Sequence, residues 1–93
     1  MPGYPRVLLK TDFNSSETVV RLDRLAPGDA GVIARVESGD GIGRRLLDLG
    51  FIPGTPVRVV RRAPLGDPCV YELRGAQLCL RRSEARRVLV ELP

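Results

Sequence analysis

Regular alternation of apolar and polar positions begins only at Thr18. Before it, Pro2, Gly3, Pro5, Asn14, Ser15 and Ser16 surround one short apolar run, Val7 to Leu9. Residues 1 to 17 are therefore read as a flexible N-terminal extension without a core of its own, and residues 18 to 93 as the domain. Val20, Leu22 and Leu25 lead into Ala26-Pro27-Gly28-Asp29, where proline before glycine marks a tight turn. Gly31 to Val36 is short and rich in β-branched residues, a strand that ends at Glu37-Ser38-Gly39-Asp40-Gly41. The period then changes. Ile42, Leu46 and Leu49 fall at i, i+4 and i+7, which predicts a helix of about two turns with those three residues facing inward. Gly50 supplies a left-handed residue to end it, and Pro53-Gly54 carries the chain through a further turn.

Pro56 to Arg62 again alternates, with Val57 and Val59 set against Arg58 and Arg61, as in a half-buried strand. Cys69 to Leu73 and Ala76 to Leu80 flank Arg74-Gly75, which predicts a tight hairpin with Tyr71, Leu73, Leu78 and Leu80 on its inner face. Ser83-Glu84-Ala85 fits one helical turn with Ser83 as its N-cap, followed by a last strand from Val88 to Leu92. Five or six short strands and one short helix make a mainly β domain. In so short a chain a small barrel is favoured, because closure removes exposed sheet edges.

Composition narrows the chemistry more than it identifies it. The chain has 93 residues, room for one domain and a small core. No apolar run approaches the roughly 18 residues that cross a bilayer, and the first ten residues lack a signal-peptide pattern, so a cytoplasmic location is expected. Net charge is +4, but the basic residues are interleaved with Asp and Glu, which weakens a nucleic-acid reading. There is no histidine, and Cys69 and Cys79 are the two cysteines. An imidazole or cysteine-cluster metal site is excluded by inventory, and no cofactor is expected. In the hairpin register Cys69 faces about Leu80 and Cys79 about Val70, so the thiols point to opposite faces and are read as free. No nucleophile stands beside a base and no phosphate loop is present, which argues against an enzyme. Gly39-Asp40-Gly41-Ile42-Gly43 opens a helix and offers amides to an anion, although a strand-to-helix turn needs glycines anyway.

The order of motifs carries a resemblance. Leu25-Ala26-Pro27-Gly28-Asp29 comes first, followed by Arg45-Leu46-Leu47-Asp48-Leu49-Gly50-Phe51-Ile52-Pro53-Gly54-Thr55 and then Gly66-Asp67-Pro68. Leu73-Arg74-Gly75 and Leu78-Cys79-Leu80-Arg81 with Glu84-Ala85 complete the set, and the whole resembles the FeoA family over residues 18 to 93. The resemblance implies an SH3-like β-barrel and a non-enzymatic accessory role beside FeoB, the membrane transporter for ferrous iron that carries a cytoplasmic G domain. It also implies a protein recruited by its partner to the inner face of the membrane without inserting into it, and a monomer is favoured.

Gly28, Gly50, Gly54 and Gly75 are assigned to sharp turns. Arg44 and Leu47, three apart on the helix and off the inward face, are the candidate partner-binding residues, with Asp67 of the Gly66-Asp67-Pro68 loop as a further one. Two alternatives remain at this point. A small basic barrel could bind single-stranded nucleic acid, although such barrels need aromatic platforms and only 4% of this chain is aromatic. An iron(II) metallochaperone would have to rely on Cys79, Glu72 and Gln77, a thin set on one hairpin. If the domain begins at Thr18, deleting residues 1 to 17 should change unfolding free energy by less than about 0.5 kcal/mol in a denaturant titration. A loss of several kcal/mol would instead make Val7 to Leu9 part of the core.

Overall fold

A computed structural model describes residues 18 to 93. Six strands form one antiparallel sheet: β1 (Val19–Arg21), β2 (Ala30–Val36), β3 (Pro56–Arg62), β4 (Cys69–Leu73), β5 (Ala76–Leu80) and β6 (Val88–Glu91). Helix α1 (Gly41–Leu49) connects β2 to β3, and a single turn, α2 (Arg82–Ala85), connects β5 to β6. A 3₁₀ turn, Leu22–Arg24, follows β1. The strands lie in the order β1-β6-β2-β3-β4-β5, so the last strand is inserted between the first two. β1 pairs with β6 and β5 with β4, but β1 and β5 do not pair with each other. The barrel expected from closure is therefore open. Its two edges are short, three and five residues, which limits what they offer to a foreign strand.

The sheet bends because register shifts interrupt β2 between Ile33 and Arg35 and β3 between Val59 and Arg61. Each such irregularity adds local twist and folds the strand over the core. Inside lie Leu22, Ile33, Leu46, Phe51, Val57, Val59, Tyr71, Leu80, Val88 and Val90, all at 2% exposure or less. Strict alternation put Val57 and Val59 inside with Pro56 and Arg58 outside, as the pattern predicts for a half-buried strand. Burying each large side chain contributes roughly 1.5–3 kcal/mol, which a domain of this size needs. Burial also pushes the Tyr71 hydroxyl pKa up.

The hairpin has the expected register, with Cys69 opposite Leu80 and Val70 opposite Cys79. Both turn residues take positive φ, +49° at Arg74 and +83° at Gly75, the pairing that matches strand twist in a two-residue loop. Cys69 is buried, Cys79 is exposed, and both are free thiols.

Two local expectations fail. The short turn starts at Arg82, with Arg81 as its N-cap, so Ser83 is not the cap. Asp67 Oδ1 accepts the Arg82 N–H at 2.9 Å and Glu84 Oε1 accepts the Arg81 N–H at 3.0 Å, so partners from another loop and from within the turn set the boundary. The second failure concerns α1. Leu46 is fully buried, but Ile42 and Leu49 are 41% and 37% exposed. The buried line runs instead through Gly43 and Leu46. A Cβ on Gly43 would overlap Ser38 and sit 2.8 Å from the Glu37 carbonyl oxygen, so the helix has rolled onto its glycine and lifted Ile42 and Leu49 away.

Asp40 secures the start of α1. Its carboxylate accepts the Gly43 N–H at 3.1 Å and the Arg87 guanidinium at 2.7 Å. The Arg87 hydrogen bond, then the Gly43 amide, hold its pKa at about 2, below the ordinary 3.8. A carboxyl with a depressed folded pKa stabilises the fold above its unfolded pKa and ceases to do so as pH falls through the folded value. Asp40→Ala should therefore lower the melting temperature relative to the parent at neutral pH. That difference should begin to close as pH falls below about 4 and disappear as pH passes through and below about 2, where the Asp40 carboxyl takes up its proton in the folded state as well. A constant difference across that range would remove the ionised carboxylate as its cause.

Candidate functional site

Arg44 and Leu47 stand together on one flank of α1. With Ser38, Gly39, Asp40 and Gly41 they line a surface depression of about 550 Å³. Leu47 is half-buried at the wall of this depression, and Arg44 is exposed, with no carboxylate partner among the described residues. The Gly-rich turn that could have received an external anion is occupied by the chain's own Asp40 carboxylate on the Gly43 amide. That amide is not free for a ligand.

The other flank of α1 was misassigned to the core. Ile42 and Leu49 are two helical turns apart on that flank, and Ile52 follows directly after the helix at 44% exposure. Three branched apolar side chains thus project beside Arg45, whose guanidinium is bound to Glu84 of α2. The signal that would have found them was the pair Gly43 and Gly50. Seven residues apart, they mark the side of the helix without side chains, and at Gly43 that side meets the backbone of Glu37 and Ser38. Gly50 takes φ +113° and its N–H reaches the carbonyls of Leu46 and Leu47, ending the helix.

Asp67 lies elsewhere and does not line the depression. It precedes a cis peptide bond to Pro68, and its Oδ1 is held by Arg82. Gly28, Gly50, Gly54 and Gly75 all have φ between +83° and +113°.

The hairpin offers little chemistry. Arg62 Nε lies 3.4 Å from Cys69 Sγ and its Nη2 donates to the Leu25 carbonyl at 2.6 Å, so the buried thiol has a cation beside it and no base. Glu72 stands opposite Gln77 and is bound by Arg58, which leaves Cys79 without a carboxylate. Among the described residues no three of Cys, Asp and Glu converge on a metal-sized space. Phe51 and Tyr71 are both buried, so neither serves as a stacking platform. No described helix is long and apolar enough to cross a membrane.

The comparisons with known proteins agree with one another. The FeoA domain family matches residues 20–92. An Fe(2+) transport protein A/Fe(2+) transporter FeoB fusion protein of Porphyromonas gingivalis is 41% identical over 73 residues, which is 78% of this chain and 9% of that one. This chain thus spans less than a tenth of that relative. A FeoA-like protein from Clostridium acetobutylicum, solved by NMR, is 31% identical with a TM-score of 0.76 over 81% of this chain and 87% of its own. A Stenotrophomonas maltophilia FeoA crystallised with zinc, described as a prokaryotic SH3 domain protein, is 36% identical with a TM-score of 0.68, covering 75% and 87%. This chain belongs to the FeoA family, and its bent, six-stranded, incompletely closed sheet is an SH3-like fold.

Proposed function

We propose that this domain is a non-enzymatic, cytoplasmic accessory of a FeoB-type ferrous iron transporter. It docks on the transporter's G domain or an adjacent cytoplasmic part, regulates transport, and is held at the membrane only through that partner. The observation that carries the reading is the Porphyromonas gingivalis relative, in which the two modules share one polypeptide. Tethering raises the effective concentration of one module at the other, an arrangement that favours modules working in contact. The chemistry of the described residues supports a binding role, because Cys69 is buried away from any substrate and the exposed Cys79 has no base beside it.

The docking surface is α1. Arg44 and Leu47 form one side of it, and Ile42, Leu49 and Ile52 form the other. Apolar side chains rimmed by charge on a fixed helix are what a modest interface requires, with the apolar residues as anchors and the arginine at the rim. Leu47 lines a depression and so receives a partner side chain, whereas Ile42 and Leu49 project and fill a partner's pocket.

Binding to the purified transporter, measured by surface plasmon resonance, should fall at least about thirtyfold for Leu47→Asp and for Leu49→Asp, corresponding to about 2 kcal/mol for a lost anchor. Arg44→Ala should act mainly on the association rate and its salt dependence. Arg61→Gln, an exposed arginine on β3 outside the depression, serves as the control for general effects. Leu49→Asp keeps the test decisive if Leu47→Asp unfolds, because residue 49 is already partly exposed. Folded variants that bind with unchanged affinity would remove α1 from the interface.

A further inference from the structure

We propose that a second surface, the cavity between the 3₁₀ turn after β1 and α2, binds a phosphate group. Arg21, Arg24, Arg82 and Arg86, with Asp23, line a depression of about 390 Å³. That volume lies within the roughly 300–1,000 Å³ typical of small-molecule sites. Arg21 is already committed. Its guanidinium binds Glu37 at 3.0 and 3.2 Å and donates to the Arg86 carbonyl at 2.7 Å.

That last bond fixes the end of α2 against β1, and Asp67 fixes its beginning through the Arg82 N–H at 2.9 Å. Arg82 and Arg86 are four residues apart, so their side chains rise from the same side of a backbone pinned at both ends. Among the described residues Arg24, Arg82 and Arg86 have no carboxylate partner, whereas Arg45, Arg58 and Arg87 each have one. Setting Asp23 and Glu37 against the four arginines still leaves two positive charges uncompensated in one cavity. Like charges gathered this closely repel one another, and an anion between them relieves the repulsion.

Guanidinium forks select the kind of anion. Three of them can be satisfied together by a tetrahedral phosphate with three terminal oxygens, while a carboxylate has only two oxygens to share. Nucleic acid is disfavoured because, among the described residues, the aromatic side chains Phe51 and Tyr71 are buried and give bases nothing to stack on. A free phosphorylated compound and an anionic lipid headgroup present the same chemistry.

The test uses the full chain and two probes, inorganic pyrophosphate followed by calorimetry and NMR shifts, and vesicles containing phosphatidylglycerol followed by co-sedimentation. Arg24→Gln and Arg82→Gln are compared with Arg61→Gln, an exposed arginine on β3 outside the cavity. All three remove the same charge. Saturable binding weakened about tenfold or more by Arg24→Gln and Arg82→Gln, but less than about twofold by Arg61→Gln, is the expected result. Pyrophosphate binding with that pattern assigns a free phosphate compound, and vesicle binding alone with that pattern assigns a headgroup. Equal weakening by all three variants, or no saturable binding of either probe at millimolar concentration, would overturn the proposal. Thermal unfolding of each variant checks folding, and Arg24→Gln, which leaves α2 untouched, decides the outcome if Arg82→Gln is unstable.

Discussion

Helix α1 can press against the backbone at Glu37 and Ser38 because residue 43 ends at its Cα. The surface of this domain follows from that one contact. The roll of the helix onto Gly43 sends Leu46 into the core and turns Ile42 and Leu49 outward on one flank. On the opposite flank it sets Leu47 and Arg44 along the wall of the depression. It also brings the Gly43 amide to Asp40, and Asp40 in turn to Arg87. A larger residue at position 43 would force the helix off the turn, and the two flanks would no longer face where they do.

The arginines divide into two groups by what they touch. Arg21, Arg45, Arg58 and Arg87 reach carboxylates on other elements. Exposed pairs of this kind contribute little stability singly, on the order of 0–1 kcal/mol. Their value here is geometric. Arg45 joins α1 to α2, and Arg87 joins the start of α1 to the chain after α2, so two short helical pieces with little shared apolar area keep one relative position. Near the helices these pairs occupy Glu37, Asp40 and Glu84, and of the arginines left without a carboxylate among the described residues three, Arg24, Arg82 and Arg86, line the cavity beside α2.

Much of the fold was legible because strands impose a strict period of two. Gly31 to Val36, Pro56 to Arg62 and the hairpin about Arg74-Gly75 appeared in the residue pattern, down to the opposition of Cys69 and Leu80. The helix was legible as an element and misread as a surface. Its apolar residues form a stripe wider than the core can cover, and periodicity counts Ile42, Leu46 and Leu49 alike. Only the close approach at Gly43 separates them, and that depends on a neighbour from the preceding turn. The start of α2 was hidden for a similar reason. Ser83 is the local capping residue, but Asp67 holds the Arg82 amide from a loop fifteen residues earlier. The arginine cavity was hidden too, since it gathers residues 21 to 24 and 82 to 86 from opposite ends of the domain.

Both proposed surfaces depend on α2, which is only four residues long and far too short to be stable by itself. It is held from three directions: Glu84 by Arg45 of α1, the Arg82 amide by Asp67, and the Arg86 carbonyl by Arg21 of β1. Ala85, fully buried, anchors it to the core from below. A segment restrained in this way has little freedom left to lose. The backbone that carries the apolar flank of α1 and the arginines beside α2 therefore meets a ligand already in place, and the backbone ordering that weakens recognition by loose segments is avoided. With so small a core, this cross-bracing by side chains from distant elements is what allows residues 18 to 93 to present two chemically different surfaces on one frame.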